Sequence, residues 1–511
     1  MRNRRVDTLL LAAGAFLLLL LWQLISSFGE TSFLFPPPSQ VITVFFAMLL
    51  SGNSWLAILT STQRIVLSVV LAIFLAVIVS WLAAKHRSLR LLLAPLVLVL
   101  KAVPVVSFIL IALFFMKDAL LTSFICGTIV FPLVYTQLLS AYLGVDKDLL
   151  EMGRVFSLSK SEIIRYIVVP SCRETFLASV SVAVGMAWKA GVAAEVIAYA
   201  NGTIGRQMHQ AKLYLDMEGL LAWTLVLVLA AFISEHILLL VFRIVLTNIA
   251  ERLPADGKPT KAFAKTISRE VKTRSELLKG TKITNAASSA EDQAICPFAE
   301  QAVIILGELL AKEDNNGKVV PTIEIKNLCK CFEDSHVFND LNISIPLNHP
   351  LVLIGSSGAG KTTLMRLIAG LTEPDSGTIE GVPERGVFVF QDNRLLPQLS
   401  VRDNIRLVLP CYDGDRADHL LDKLGLSSVR NQKAATLSGG EKRRLALARA
   451  LAPESEILYL DEAFRELDEK HESKALQLMT ELSKDKIVIL ATHDLTYIDR
   501  LQANVIELKK H

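Results

Sequence analysis

Cysteine is scarce: six residues in 511, none in a Cys-x-x-Cys or other paired spacing, which leaves no disulfide framework. Cys126, Cys172, Cys296, Cys329, Cys331 and Cys411 read as reduced thiols, and with no third ligand near Cys329 and Cys331 a zinc site is not expected. Charge of one sign is also lacking. The chain sets 53 Lys and Arg against 50 Asp and Glu, and a net +3 requires no polyanionic partner. Neither a nucleic-acid-binding module nor a repeat array is visible, so nucleic acid is not an expected partner. Apolar residues are abundant and unevenly placed. They make up 52% of the chain, and most of that mass lies before about residue 250, which excludes an ordinary soluble globule there.

Six stretches in that half, roughly 8–28, 59–84, 91–116, 119–143, 175–199 and 219–246, could each cross a hydrocarbon core of about 30 Å at about 1.5 Å per residue. A buried soluble helix could imitate one of them but not six in series. Positive charge alternates across them. Arg2, Arg4 and Arg5 precede the first; Lys85, Arg87 and Arg90 separate the second and third; Lys147, Arg154, Lys160, Arg165 and Arg173 separate the fourth and fifth. The intervening loops hold only Lys117, Arg206 and Lys212, so both termini of this multi-pass chain are expected in the cytoplasm, in the cytoplasmic (inner) membrane. The first stretch is longer than the about 7 to 15 apolar residues of a signal peptide, and no clear cleavage site follows; an uncleaved anchor is expected.

The second half carries a phosphate-binding pattern, Gly355, Ser356, Ser357, Gly358, Ala359, Gly360, Lys361, Thr362. An apolar run, 351–354, reads as a buried strand before it, and the segment from Thr363 to Ala369 reads as a helix after it. Strand, glycine loop and helix are the parts of a nucleotide triphosphate site. Backbone N–H groups cradle phosphates, Lys361 adds a point charge, and Thr362 offers a hydroxyl to Mg²⁺. Further on stand Leu437, Ser438, Gly439, Gly440 and Glu441, then an arginine-rich stretch to Ala450, then an apolar run ending at Asp461 and Glu462. Ser438 and Glu441 fit a capping box opening a helix with an arginine-rich exposed face; a helix start is also an anion site.

These motifs, in this order and spacing, resemble the ATPase subunit of ABC transporters over about residue 322 to the C-terminus. The resemblance implies ATP and Mg²⁺ as ligands, with Asp461 and Gln391 beside Thr362 at the metal. It implies Glu462 as the residue that orients or deprotonates the attacking water, Gln391 as the Q-loop residue, and His493, after the apolar strand 487–490, as the switch histidine touching the γ-phosphate. Phe332 resembles the aromatic on which adenine stacks; a core aromatic is the other reading. Ser438, Gly439, Gly440 and Glu441 are implied to close on ATP held by a partner subunit. One phosphate loop and one signature per chain then imply a homodimer. Two positions depart from the family pattern: Glu441 stands where Gln is usual, and Arg465-Glu466-Leu467-Asp468 where Ser-Ala-Leu-Asp is commoner, putting extra charge near the expected dimer interface.

The cytoplasmic stretch with Glu151, Met152 and Gly153, then Ser157 and Val169-Pro170, resembles the EAA loop of binding-protein-dependent permeases, with Ser157 at the usual glycine. It implies a coupling loop of Glu151, Ser157 and Pro170 with a short helix docked on the ATPase. Residues 187–195 and Lys101-Ala102-Val103-Pro104 resemble the nitrate, sulfonate and taurine importers. Ionisable groups are costly inside spans, so Lys101, Lys189 and Glu195 are expected to face the bundle interior or water, as a substrate path or as structural ion pairs and snorkelling side chains.

The expected fold is multidomain. An all-α polytopic membrane domain of six transmembrane helices, like type I ABC importers (1–250), precedes a cytoplasmic linker (251–320) and an α/β P-loop NTPase domain of ABC type (321–511). The expected function is ATP-driven import of a small solute, an anion of the nitrate, sulfonate or taurine class, with a separate extracytoplasmic solute-binding protein. The alternatives are an ATP-hydrolysing sensor without transport, or an exporter.

Overall fold

The computed structural model describes residues 4–27, 35–250, 253, 322–332, 335–482 and 486–509. Apart from residue 253, the expected linker lies outside the described residues, as does Cys296. The chain divides into two compact units, Met1–Val145 with Val168–Ala250, and Asp146–Ile167 with Glu251–His511.

The first unit is helical: α1 (Arg4–Ser27), α2 (Pro38–Leu49), α3 (Gly52–Lys85), α4 (Arg87–Ala102), α5 (Val105–Leu113) and α6 (Asp118–Leu143). Two short helices, α7 (Lys147–Val155) and α8 (Lys160–Ile163), belong to the second unit; α9 (Val169–Ala198), α10 (Ile204–Leu213) and α11 (Met217–Ala250) return to the first. The packing is that of helices in lipid. Along α3 the buried face repeats small residues, Ser54, Ala57, Ser61, Ser68, Ala72, Ala76, Ser80 and Ala83, while Leu59, Leu67, Leu71 and Phe74 point outward. Small residues let backbones approach where lipid supplies no hydrophobic drive, and the apolar exterior suits hydrocarbon.

Among the described residues, four helices are long and apolar enough to cross a membrane, or five if a bent pair counts as one. Six spans were expected. The expected span 8–28 falls on α1, whose side chains are described only in part. The span expected at 91–116 is instead α4 and α5, bent by 97°. Val103 stands before a proline, which disfavours the helical region, and takes ψ 131°; Pro104 then caps α5.

The second unit holds two sheets. One is three-stranded and antiparallel, in the order β2 (Ser335–Pro346), β1 (Thr322–Phe332), β4 (Ser376–Glu380). The other is five-stranded and parallel, in the order β5 (Gly386–Val389), β6 (Ile457–Asp461), β7 (Ile487–Ala491), β3 (Leu351–Gly355), β8 (Asn504–Leu508). The near-continuous apolar runs of β3, β6 and β7 follow from burial on both faces, as parallel sheets require. Ligands of such sheets bind beyond the carboxyl ends of the strands. Here those ends are Gly355, Val389, Asp461, Ala491 and Leu508.

Candidate active site

The phosphate loop, Gln391, Asp461 with Glu462, and His493 lie at or just after four of those strand ends. The glycine loop leaves β3 and runs into the helix Lys361–Ile368, capped by Gly360 at φ +90° with no side chain on its first N–H groups. A β-carbon at Gly360 would come within 2.8 Å of Val337 and 2.9 Å of Phe338, so only glycine fits the turn. Lys361 is buried at 9% exposure and donates to the carbonyls of Gly355, at 2.7 Å, and Ser356, at 3.1 Å, which aims its ammonium along the loop. Ser356, Ser357, Gly358 and Ala359 form the loop, and Thr363 continues the helix.

The Thr362 hydroxyl donates to Asp461 Oδ1 at 3.1 Å, joining the phosphate loop to the end of β6. Burial pushes the Asp461 carboxyl above the usual range, and the Thr362 hydrogen bond and the Lys361 charge oppose that shift. No cluster of three His, Cys, Asp or Glu exists among the described residues. One hydroxyl and one carboxylate nevertheless fit Mg²⁺, a hard cation that takes oxygen ligands, keeps waters and draws others from phosphates.

Glu462 begins the turn after β6 with φ +44°, a left-handed conformation uncommon for a residue with a β-carbon. Three groups converge on its carboxylate: Gln391 Nε2 at 3.5 Å, Arg465 Nη1 at 3.1 Å and His493 Nδ1 at 3.6 Å. Gln391, Glu462 and His493 are thus brought together from β5, β6 and β7. Arg465 was expected only as extra charge near an interface; in the structure it pairs with Glu462 of its own chain.

Phe332 is 47% exposed at the end of β1, outside the core, with the Lys330 ammonium 5.3 Å from its ring centroid. Ser438 caps the helix Gly439–Leu451 in a complete capping box with Glu441. Hydrogen bonds from the Ser438 hydroxyl and N–H hold the Glu441 carboxyl below the usual range. Gly439 and Gly440 form the first turn. Asp468 accepts from the N–H and the ring of His471, and these bonds hold its carboxyl low.

The arginine-rich face expected to be exposed is not. Arg443 is 2% exposed and Arg449 3%. The Arg449 guanidinium donates to the carbonyls of Arg394, at 2.8 Å, and Asn393, at 3.0 Å, just past Gln391. A run of neighbouring arginines on a helix does not by itself tell which ones turn inward.

The segment carrying α7 and α8 packs within the ATPase unit. Glu151 pairs with Arg394 at 2.6 Å and with Arg366 at 2.5 Å, and Asp148 pairs with Arg394 at 2.9 Å. Gln398 donates to the Tyr166 carbonyl at 2.6 Å, and the Tyr412 hydroxyl to Glu162 at 2.6 Å. Ser157 has φ +53°, the backbone that makes glycine usual at its position. Pro170 lies in the first turn of α9.

The three candidate path residues also part company. Lys101, in the last turn of α4, is exposed and reaches Thr136 at 3.4 Å, and Lys189 on α9 is exposed. Glu195 is fully buried. Its Oε2 accepts from the Ser61 hydroxyl at 2.7 Å and the Gly205 N–H at 3.2 Å, and Ser61 in turn accepts from the Ile204 N–H at 2.9 Å. No ion pair joins the three among the described residues.

Comparison with known proteins agrees with both halves. The family model described as ABC transporter matches residues 338–465, and the model described as binding-protein-dependent transport system inner membrane component matches 69–253. An aliphatic sulfonates import ATP-binding protein from Pseudomonas savastanoi is 39% identical over 197 residues, 38% of this chain and 73% of that one. The chain belongs to the ABC transporters. It is a fused permease and ATPase of that family. Other similar ABC proteins are an aliphatic sulfonates import ATP-binding protein of Paracoccus denitrificans, 39% identical over 34% of this chain and 74% of that one, and a phosphonates import ATP-binding protein of Fusobacterium nucleatum, 31% identical over 37% and 88%. ABC-type ATP hydrolysis accounts for the strand-end cluster, with permease helices supplied by the same polypeptide.

Proposed function

We propose that this chain works as a homodimer in the inner membrane, with both termini in the cytoplasm, importing a small oxyanion of the sulfonate class delivered by a separate extracytoplasmic binding protein. The observation that carries the reading is the union, in one chain, of a binding-protein-dependent permease domain with an ABC ATPase domain. The relatives named for sulfonate and phosphonate import favour a tetrahedral oxyanion.

The glycine loop and Lys361 bind the ATP phosphates, and Phe332 offers a face to adenine. Thr362 and Asp461, with Gln391, would hold Mg²⁺, which neutralises charge on the phosphates when bound. Glu462 takes a proton from the water that attacks the γ-phosphorus as the bond to ADP breaks, with His493 and Gln391 beside it. Ser438 to Glu441 complete the site on the partner's nucleotide. In this reading α7 and α8, packed within the ATPase unit, carry its motion to the membrane helices.

The test is reconstitution of the full chain in proteoliposomes with its binding protein and a labelled alkyl sulfonate. ATP-dependent accumulation on the ATPase side supports the reading. ATPase stimulation without flux sinks import, and accumulation of a solute lacking an oxyanion sinks the substrate class.

A further inference from the structure

Arg443 is the group that ties the hydrolytic residues together, and nothing about the signature segment announced it. Its guanidinium donates only to oxygen atoms of the Q-loop and of the turn after β6. Nε reaches the Ala463 carbonyl at 2.8 Å; Nη1 reaches the carbonyls of Phe390, at 2.7 Å, and Gln391, at 3.1 Å; Nη2 reaches those of Asp461, at 3.0 Å, and Glu462, at 2.6 Å. A longer contact runs to Asn393 Oδ1 at 3.4 Å. Thus one buried cation grips the chain before, at and after Glu462, and the chain at Gln391.

Two features argue that this grip serves the chemistry as well as the core. Burying a guanidinium is costly, and among the described residues no carboxylate bonds to this one directly; the acceptors are mainly main-chain carbonyls at and just past the ends of the neighbouring strands β5 and β6. Glu462 is also held at φ +44°, a conformation that persists only where the surroundings over-determine it. The Arg443 bonds to the carbonyls of 461, 462 and 463 supply that constraint. The same guanidinium sets the height of Gln391, whose amide faces the Glu462 carboxylate at 3.5 Å.

We infer that Arg443 is a positioning residue for ATP hydrolysis, fixing the Glu462 carboxylate against the Gln391 amide through the backbone of both. The inference rests on the reading of Glu462 as the residue that activates water. It also joins two parts of the ATPase: Arg443 lies about one turn and a half into the helix that Ser438 caps, so its hydrogen bonds tie the signature helix to the backbone of the hydrolytic residues.

The experiment compares wild type, Arg443→Lys, Arg443→Gln and Glu462→Gln as full-length protein in lipid, reading kcat and KM for ATP together with the thermal shift given by ATP. Lysine keeps the charge without the fork of donors, and glutamine keeps a polar end of similar reach. The expected result is a loss of kcat of about ten-fold or more in both Arg443 variants, with KM for ATP and the ATP-induced thermal shift within about two-fold of wild type. In single-turnover measurements, adding Arg443→Lys to Glu462→Gln should cost less than about two-fold more, since the position being held no longer carries the base. A folded Arg443→Lys or Arg443→Gln with wild-type kcat overturns the inference. So does a fall in kcat matched by loss of ATP binding, or a multiplicative loss in the double variant. Glu462→Gln alone hydrolysing at the wild-type rate would instead remove the reading of Glu462 itself.

Discussion

Arg394 and Glu151, 243 positions apart in sequence, meet in an ion pair at 2.6 Å between the Q-loop and α7. The Arg394 side chain is 8% exposed, stacks 3.7 Å from the Phe390 ring centroid, and has its backbone carbonyl held by Arg449. Glu151 also takes Arg366 from the helix after the phosphate loop. A carboxylate shared by two arginines, each rooted next to a nucleotide-binding motif, fastens α7 to the ATPase unit. Glu151→Ala leaves the largely buried Arg394 without one of its two carboxylates, which should weaken the seat of α7 by about 3 kcal/mol. The expected outcome is ATP hydrolysis within a few-fold of wild type and solute transport reduced by more than about ten-fold, measured in the same vesicles. Equal loss of both activities would show that the pair is needed for ATPase folding and not for coupling.

Ser157 gives the opposite kind of prediction. Its left-handed backbone lets the turn after α7 close, with the Leu158 N–H on the Gly153 carbonyl at 2.8 Å and the Ser157 N–H on the Arg154 carbonyl at 2.9 Å. Ser157→Gly removes the β-carbon penalty of about 1 kcal/mol in that conformation. Thermal unfolding of the protein in lipid should shift upward by a few degrees at unchanged ATPase activity. A downward shift would mean that the serine hydroxyl contributes more than its backbone costs.

Much of the site was legible because its motifs are local. The glycine loop, the signature and the apolar run before Asp461 and Glu462 each occupy a short window, and a parallel sheet brings the ends of β3 and β6 to one edge whatever lies between. Longer-range features were not legible in the same way. That Arg443 and Arg449 turn inward depends on which carbonyls the fold places opposite them, and Arg394 finds its partners only once α7 packs against β5. The bend at Val103 and Pro104 did have a signal, since a proline sat within the expected third span, but hydropathy alone counts residues and is blind to direction. Glu195 illustrates the same limit: hydropathy marks an ionisable residue in a span, and only the fold shows that its carboxylate meets Ser61 of α3 and the Gly205 N–H of α10.

The signature segment carries a pH dependence of defined sign. Glu441 is held below the usual carboxylate range by its bonds from Ser438, so the fold favours its ionised form. The resulting stability is present above the unfolded value of about 4.3 and is lost as pH falls through the lower folded value. Glu441→Gln keeps a capping side chain and abolishes the titration. The difference in melting temperature between wild type and Glu441→Gln should therefore move against wild type as pH falls below about 4.3, and be constant between about pH 6 and 8. A difference independent of pH from about 3 to 8 would show that the capping bonds do not depend on the charge.

Gly205 tests the assignment of Glu195 to the packing of the membrane unit. The start of α10 lies so close to the end of α9 that a β-carbon at Gly205 would stand 2.3 Å from Glu195 Cβ and 2.7 Å from the Val196 nitrogen. Backbone cannot yield as a flexible side chain can. Gly205→Ala should then push α10 away, break the Gly205 N–H bond to the Glu195 carboxylate, and cost about 3 kcal/mol or more through overpacking and an unsatisfied buried acceptor. Gly185→Ala, on the same α9, has no atom within 4 Å of its new methyl and serves as the matched control. The measurement is the yield of monodisperse protein and its melting temperature in detergent. Loss in Gly205→Ala alone fits a Glu195 that fastens α3, α9 and α10; unimpaired folding with altered solute kinetics would return Glu195 to the solute path.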